Sequence, residues 1–125
     1  MRSSSIREKL FRAALALQPD SLLIINELAW LLATHPDPAI HQPKEALDLA
    51  SAAARVAGNR NPRVLDTLAA AQAANQEFAA AVKTCESAIA LAQARNDLKM
   101  VKQLGERRAT YLAKRRHLES FPASR

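Results

Sequence analysis

The sequence predicts an all-α fold, an α-solenoid of helical hairpins that ends in a basic helix. Alanine dominates an apolar content of 49%, and the chain has only two glycines, a composition that favours helices. Apolar residues recur at spacings of three and four rather than two, which is the period of a helix and not of a strand. Proline, asparagine or glycine interrupts this pattern at intervals that fit short turns.

Length and cysteine usage limit the organisation of the chain. With 125 residues, it is long enough for one hydrophobic core and too short for two. The single cysteine, Cys85, has no partner for an internal disulfide, and no apolar stretch resembles a signal peptide or a membrane span. We therefore expect one soluble domain without a membrane span in a reducing compartment, the cytoplasm.

The first three helices are bounded by proline, a polar cap and glycine. The first covers about residues 5–18, and the second starts at a cap formed by Asp20 or Ser21. The third begins with Pro43 in its first turn and ends at Gly58. Proline suits the first turn because its missing N–H has no intrahelical partner there, and glycine readily adopts the left-handed conformation that follows many helices.

The last three helices follow from similar signals. Asn61 caps the fourth helix, and a polar turn separates it from the fifth. The sixth is predicted to follow Asn96 and to extend to about Leu118. Residues 119–125 form a tail, of which SFPASR is predicted to be frayed. The predicted units are an unpaired helix (5–18), a first hairpin (20–58), a second hairpin (61–94) and a C-terminal helix (96–118).

A large residue followed by a small one recurs in alternate helices, as Leu28-Ala29, Leu68-Ala69 and Leu104-Gly105. Small residues stand seven positions apart in the helices between them, at Ala46 and Ala53 and at Ala81 and Ala88. This pattern resembles the tetratricopeptide repeat family over about residues 7–110, with a repeat unit of about 34 residues. The resemblance implies a passive scaffold, in which stacked first helices of each hairpin form a concave groove for a peptide or helix of a partner protein.

The corner of the first hairpin is longer than the family period requires. Leu28 and Leu68 are 40 residues apart, whereas Leu68 and Leu104 are 36 apart, and most of the excess lies in PDPAIHQP. The string LAWLLATHPDP, followed later by NPRVLDTLAAA, is similar to a bacterial variety of these repeats in which such a corner is common. Its prolines stop both flanking helices, which is a sufficient structural reason for them.

Two histidines and an aspartate in this corner raise the alternative of a metal site, because imidazole and carboxylate groups ligate first-row metals. The spacing of His35, Asp37 and His41 matches no compact helical or zinc-knuckle pattern, and no cysteine lies nearby. We expect an exposed turn in which Asp37 caps a helix or forms an Asx-turn, without metal or cofactor.

The sequence gives no support for an enzyme. It has no glycine-framed nucleophile, and a chain with two glycines has no phosphate-cradling loop. Cys85 falls where a small apolar residue belongs, so we expect it to fill the core. Ala69 and Ala81 are expected to be buried where two helices approach closely, and Ala73 to face the groove.

The repeat register assigns partner-binding residues to the groove side of the first helix in each unit. They are Asn26 and Trp30, then Arg63, Asp66, Thr67 and Ala70, and finally Lys99, Lys102, Gln103 and Glu106. Trp30 either packs against the prolines of its own corner or contacts the ligand. A family subgroup that grips a C-terminal carboxylate carries lysine where this chain has Asn26 and asparagine where it has Trp30, so that clamp is not carried over.

Electrostatic binding of nucleic acid or a membrane surface is one alternative function. Residues 1–94 hold nine Lys/Arg and nine Asp/Glu, whereas residues 95–125 hold nine and three. The excess lies mainly in the last helix, at Arg107, Arg108, Lys114, Arg115, Arg116 and His117. Such a cluster could neutralise several phosphates, but no aromatic platform or DNA-binding motif accompanies it, so we expect acidic protein segments as partners.

Self-assembly is the other alternative. The first helix resembles the second helix of a hairpin whose first helix is missing, which leaves Ile6, Leu10 and Leu17 without a cover. A second copy of the chain could cover them and form a homodimer. The unpaired helix also favours the interpretation that these residues are the end of a longer protein.

Overall fold

The computed structural model describes the backbone of residues 3–119 and the side chains of residues 6–119. Over this range the chain is all-helical, as predicted, with six helices and no strand. The helices are α1 (Ser3–Leu17), α2 (Leu22–Thr34), α3 (Pro43–Val56), α4 (Pro62–Ala74), α5 (Phe78–Ala94) and α6 (Leu98–Leu112). Each helix packs against the next along the chain, and α2 also packs against α4.

Polar side chains start the helices where the sequence predicts them. The Ser21 hydroxyl accepts a hydrogen bond from the Ile24 N–H at the start of α2. The Asn61 side-chain oxygen accepts from the N–H groups of Arg63 and Val64 at the start of α4. These bonds satisfy first-turn donors that have no intrahelical acceptor.

Residues in the left-handed conformation end the later helices. After α3 the backbone turns through Gly58, at a φ of 66°, and Asn59, at 57°. A single residue in the left-handed conformation follows each of the next three helices: Gln76, Asn96 and Lys114. In each case an N–H beyond the helix bonds a carbonyl of the last turn, which satisfies acceptors that the helix leaves open.

The core is built mainly from alanine, which lets helix backbones approach closely. Ala29 and Ala33 of α2 meet Ala46 and Ala50 of α3, and Ala71 of α4 joins the same cluster. Buried small residues continue along α5 as one stripe: Ala81, Cys85, Ala88 and Ala92. The helix contacts therefore depend on small side chains, as the recurring large-small pairs predict.

Two positions differ from the predicted register. Ala73 was expected to face the groove, but it is 1% exposed and packs beside Ala69, Cys85 and the fully buried Tyr111. Gly105 was expected to be the small member of a contact pair, but it is exposed, and no atom lies within 4 Å of the position of a Cβ there. The prediction for Ala73 was wrong because Tyr111, in the last turn of α6, packs against it.

The apolar face predicted to be uncovered on α1 is exposed. Phe11 and Leu15 pack against the core beside α2. Ile6, Leu10 and Leu17 are instead 43%, 63% and 84% exposed. Among the described helices, none combines the length and the apolar composition that crossing a membrane requires.

Candidate functional site

A cavity of about 590 Å³ opens between α2, α4 and α6. The lining residues are Leu22, Leu23, Asn26, Glu27, Trp30, Asn61, Arg63, Val64, Asp66, Thr67, Met100, Gln103, Arg107 and Glu119. We call this cavity the Trp30 groove. Its walls come from three separate helices, so its shape depends on how those helices pack rather than on one loop.

Trp30 is the central aromatic side chain of the groove. The guanidinium carbon of Arg107 lies 4.8 Å from the centroid of its ring, within the range of a cation-π interaction. The His117 ring lies on the indole as well, with 5.4 Å between the centroids. The Trp30 Nε1–H donates to Glu119 Oε2 at 3.2 Å. The sequence left open whether Trp30 packs against the prolines of its own corner or contacts a ligand. In the structure, its ring lines the groove.

Asp66 carries a buried carboxylate on the groove wall. The side chain pairs with the Arg107 guanidinium, and the residue is only 6% exposed. Burial raises the pKa of Asp66 to about 6, although the positive charge of Arg107 opposes this rise. Asp66 Oδ1 is buried and has no hydrogen-bond partner among the residues that the structure describes. The groove therefore contains an acid whose charge is costly near neutral pH.

The chain leaves helical conformation earlier than the sequence predicts and returns to α2. Helix α6 was expected to reach Leu118 but ends at Leu112, after which Lys114 adopts a φ of 58°. Residues 115–119, which we call the return segment, have no regular secondary structure. The Glu119 N–H donates to Thr34 O at 3.0 Å. The stretch predicted to be frayed, residues 120–125, lies outside the described residues.

The return segment completes the C-terminal end of α2. The last carbonyl groups of a helix have no intrahelical donor and need other partners. Ala33 O accepts from Arg116 Nη1 at 3.1 Å, and His35 O, just past the helix, accepts from Arg116 Nη2 at 3.3 Å. Thr34 O accepts the Glu119 N–H described above. A guanidinium here also suits the partial negative charge at the end of the helix.

Five predicted binding residues of α2 and α4 line the groove, and those of α6 fit less well. The five are Asn26, Trp30, Arg63, Asp66 and Thr67. Thr67 already donates its hydroxyl hydrogen to Arg63 O, and Ala70 is buried in the core.

On α6, Gln103 lines the groove as predicted, but Lys99 and Lys102 are exposed away from it. Glu106 lines a smaller depression beside it. In α6 and the segment after it, the lining residues that the register did not assign to the groove are Met100, Arg107 and Glu119. Met100, Gln103 and Arg107 follow helical spacing, so a shift of one position in α6 could have identified two of them.

Three arginines of the C-terminal part, Arg107, Arg108 and Arg116, are engaged within the chain. Arg107 pairs with Asp66, and Arg108 pairs with Glu86 of α5 at 2.8 Å. Arg116 binds the end of α2. These contacts leave fewer exposed cations for phosphate groups than a continuous basic helix would present.

The corner between α2 and α3 is more buried than expected. His35 is 4% exposed, and its Nδ1 accepts from the Asp37 N–H at 2.9 Å. Asp37 Oδ1 accepts from the Ala39 N–H, which confirms the predicted Asx-turn. His41 Nδ1 lies 3.0 Å from Leu32 O. Within the described part of the chain, no three His, Cys, Asp or Glu side chains come together as a set of metal ligands.

Cys85 is fully buried, as predicted, and burial raises the pKa of its thiol to about 12. This environment favours the protonated thiol over the nucleophilic thiolate.

Comparison of the chain with family models, curated proteins and solved structures finds no significant match. The function of the Trp30 groove must therefore be argued from its own geometry.

Proposed function

We propose that this chain is a non-catalytic binding module, an α-solenoid of tetratricopeptide-like helix pairs that holds an extended segment of a partner protein in the Trp30 groove. The large-small pairs of α2 and α4 and the packing of each helix on the next support this architecture. A binding role is supported by an open cavity that combines a half-buried aromatic ring with hydrogen-bonding side chains from three helices.

The observation that carries the proposal is the position of Trp30. Its ring lines a cavity of about 590 Å³, and its indole N–H already bonds a carboxylate there. A tryptophan offers a large apolar contact and one directed donor, which is why this residue type dominates many binding interfaces. Arg63 lies exposed on the same wall and can attract an acidic partner.

Selection of peptides from a random displayed library against the parent protein tests the proposal. Selected peptides should bind about tenfold more weakly to Arg63→Glu, because the reversed charge lies on the groove wall. Lys102→Glu is the matched control, since Lys102 is an exposed cation of α6 outside the groove. Equal losses for both variants, or peptides indifferent to Trp30→Ala, would show that binding occurs elsewhere.

A second candidate function is self-assembly through α1, and the exposed leucines favour it. Leu10 and Leu17 are 63% and 84% exposed, and a second copy of the same face would cover them. Sedimentation at about 100 µM should then give a dimer for the parent and a monomer for the Leu10→Glu, Leu17→Glu variant. A parent that stays monomeric at this concentration excludes this candidate.

A further inference from the structure

We propose that the return segment closes one side of the Trp30 groove, with Glu119 on its wall, and that the partner displaces it with a segment of the same chemistry. That chemistry is an extended stretch in which a basic residue is followed three positions later by an acidic one. The inference rests on the proposed function, because it names the partner's chemistry and the competitor for the same site.

The basic position is recognised by the end of α2. Arg116 donates to Ala33 O and to His35 O through two different guanidinium nitrogens. This fork spans two carbonyl groups at the negative end of a helix dipole. Lysine can supply the charge at this position but not the fork, so arginine is the better fit.

The acidic position is recognised by Trp30 and its surroundings. Glu119 accepts the indole N–H through Oε2, and the Arg107 guanidinium lies over the same ring. The backbone N–H of Glu119 donates to Thr34 O. Side chain and backbone are thus held together, and proline is excluded at this position because it has no N–H.

The return segment is held by polar contacts and can be displaced. None of its five residues is buried, and the Leu118 side chain is 54% exposed. Its hydrogen bonds to α2 measure 3.0 to 3.3 Å. Because burial of apolar surface supplies most binding free energy, a partner that adds an apolar side chain in the adjoining cavity outcompetes this segment.

The test uses the full chain with Arg116→Gln and Glu119→Gln, which removes both recognised groups and leaves the net charge unchanged. Arg115→Gln is the matched control, because Arg115 is an exposed cation of the same segment. Glu119→Gln alone serves as a second variant that keeps the Arg116 contacts to α2. Helix content measured by circular dichroism confirms that each variant folds.

Trp30 is the chain's single tryptophan, so its fluorescence reports release of the segment directly. Acrylamide should quench Trp30 about twofold more strongly in the double variant than in the parent, because Glu119 and His117 no longer cover the indole. Arg115→Gln should match the parent. Unchanged quenching in both test variants would show that the segment does not cover Trp30, and would overturn the inference.

Binding in trans identifies the competitor. The labelled peptide AKRRHLE, with blocked ends, repeats residues 113–119, and AKRQHLQ is its matched control. A tethered segment has an effective concentration in the millimolar range, so AKRRHLE should bind the double variant about tenfold more tightly than the parent. AKRQHLQ should bind neither. Equal binding of AKRRHLE to both proteins overturns the competition but keeps peptide binding. Release of Trp30 without any binding of AKRRHLE overturns the partner chemistry named here, whereas the proposed function fails only if the peptide selection also fails.

Discussion

Arg107 lies over the ring of Trp30, with 4.8 Å between its guanidinium carbon and the ring centroid. The same guanidinium pairs with the buried carboxylate of Asp66. One side chain of α6 therefore contacts both α2 and α4, and it fixes the distance between the walls of the Trp30 groove. Its removal should affect both the stability of the fold and the shape of the site.

Arg107→Ala should lower the free energy of unfolding by about 3 kcal/mol, because it leaves a buried carboxylate without its partner. Arg108→Ala is the control, since its pair with Glu86 is exposed and worth less than about 1 kcal/mol. Urea unfolding followed by circular dichroism measures both. Losses of equal size would mean that the Asp66 pair contributes no more than a surface ion pair.

Asp66→Asn should change how stability depends on pH. The pKa of Asp66 rises from 3.8 to about 6 on folding, mainly through burial, so the folded state holds a proton that the unfolded state has lost. The unfolding free energy therefore falls as pH rises through this range, by about 3 kcal/mol in total. Asparagine keeps an acceptor for Arg107 and does not titrate.

The measurement is the difference in unfolding free energy between Asp66→Asn and the parent at several pH values. This difference separates the contribution of Asp66 from that of His117. Burial and the charge of Arg107 lower the pKa of His117, so its contribution to stability changes with pH in the opposite direction. The difference should grow in favour of the variant from pH 4 to pH 7. Parallel curves would contradict the assignment.

His35→Ala should destabilise the protein by about 1 to 3 kcal/mol, because the ring is buried and accepts the Asp37 N–H. The sequence alone predicts no effect, since it places His35 in an exposed turn. Gln42→Ala in the same corner is the control and should cost less than about 0.5 kcal/mol, because Gln42 is exposed and forms no side-chain cap. Equal losses of stability for the two variants in chemical unfolding would support the exposed turn that the sequence predicts. Added zinc should leave the unfolding midpoints of both variants unchanged.

Ala73→Leu should cost about 1 to 3 kcal/mol, because the added atoms overpack the contact with Tyr111 and Cys85. Ala90→Leu is the matched control on α5, where alanine is exposed and the same change should cost less than about 0.5 kcal/mol. Thermal unfolding measures the loss of stability that each substitution causes. A tolerant Ala73 would place this residue on an open surface, as the sequence register predicts.

Cys85 should resist thiol reagents in the folded protein. Its pKa, raised to about 12 by burial, leaves little thiolate, and the side chain has no exposed surface. Reaction with an aromatic disulfide reagent at neutral pH should be about a hundredfold slower than in urea, because it requires opening of the core. Rapid reaction in buffer would show that the contact between α5 and α6 opens easily.

Most of the helices could be predicted from the sequence, because their boundaries are local. The caps at Ser21 and Asn61 and the stop at Gly58 each depend on residues within one turn. The groove residues of α2 and α4 were predicted from the register that the repeat resemblance implies. The sequence therefore predicts the fold class and residues on two of the three walls.

The end of α6 could not be predicted in this way. Ala113 to Arg116 are good helix formers, and intrinsic propensity favours continuing the helix through them. The helix instead ends before a left-handed Lys114, and Arg116 and Glu119 then bind α2, more than 80 residues earlier in the chain. No local pattern records such a contact. The register of Lys99 and Lys102 assumed an uninterrupted repeat, whereas the groove is lined by Met100 and Gln103, one position later.

The return segment also changes how the molecule should come apart. Helices that pack mainly on their chain neighbours can open one after another, as separate cooperative units. The bond between Trp30 and Glu119 joins positions 89 residues apart and ties α2 to the segment that follows α6. While it holds, α2 and α6 should exchange their amide protons in one concerted event. Release of the segment would open this closed loop, and the two helices should then exchange at independent rates.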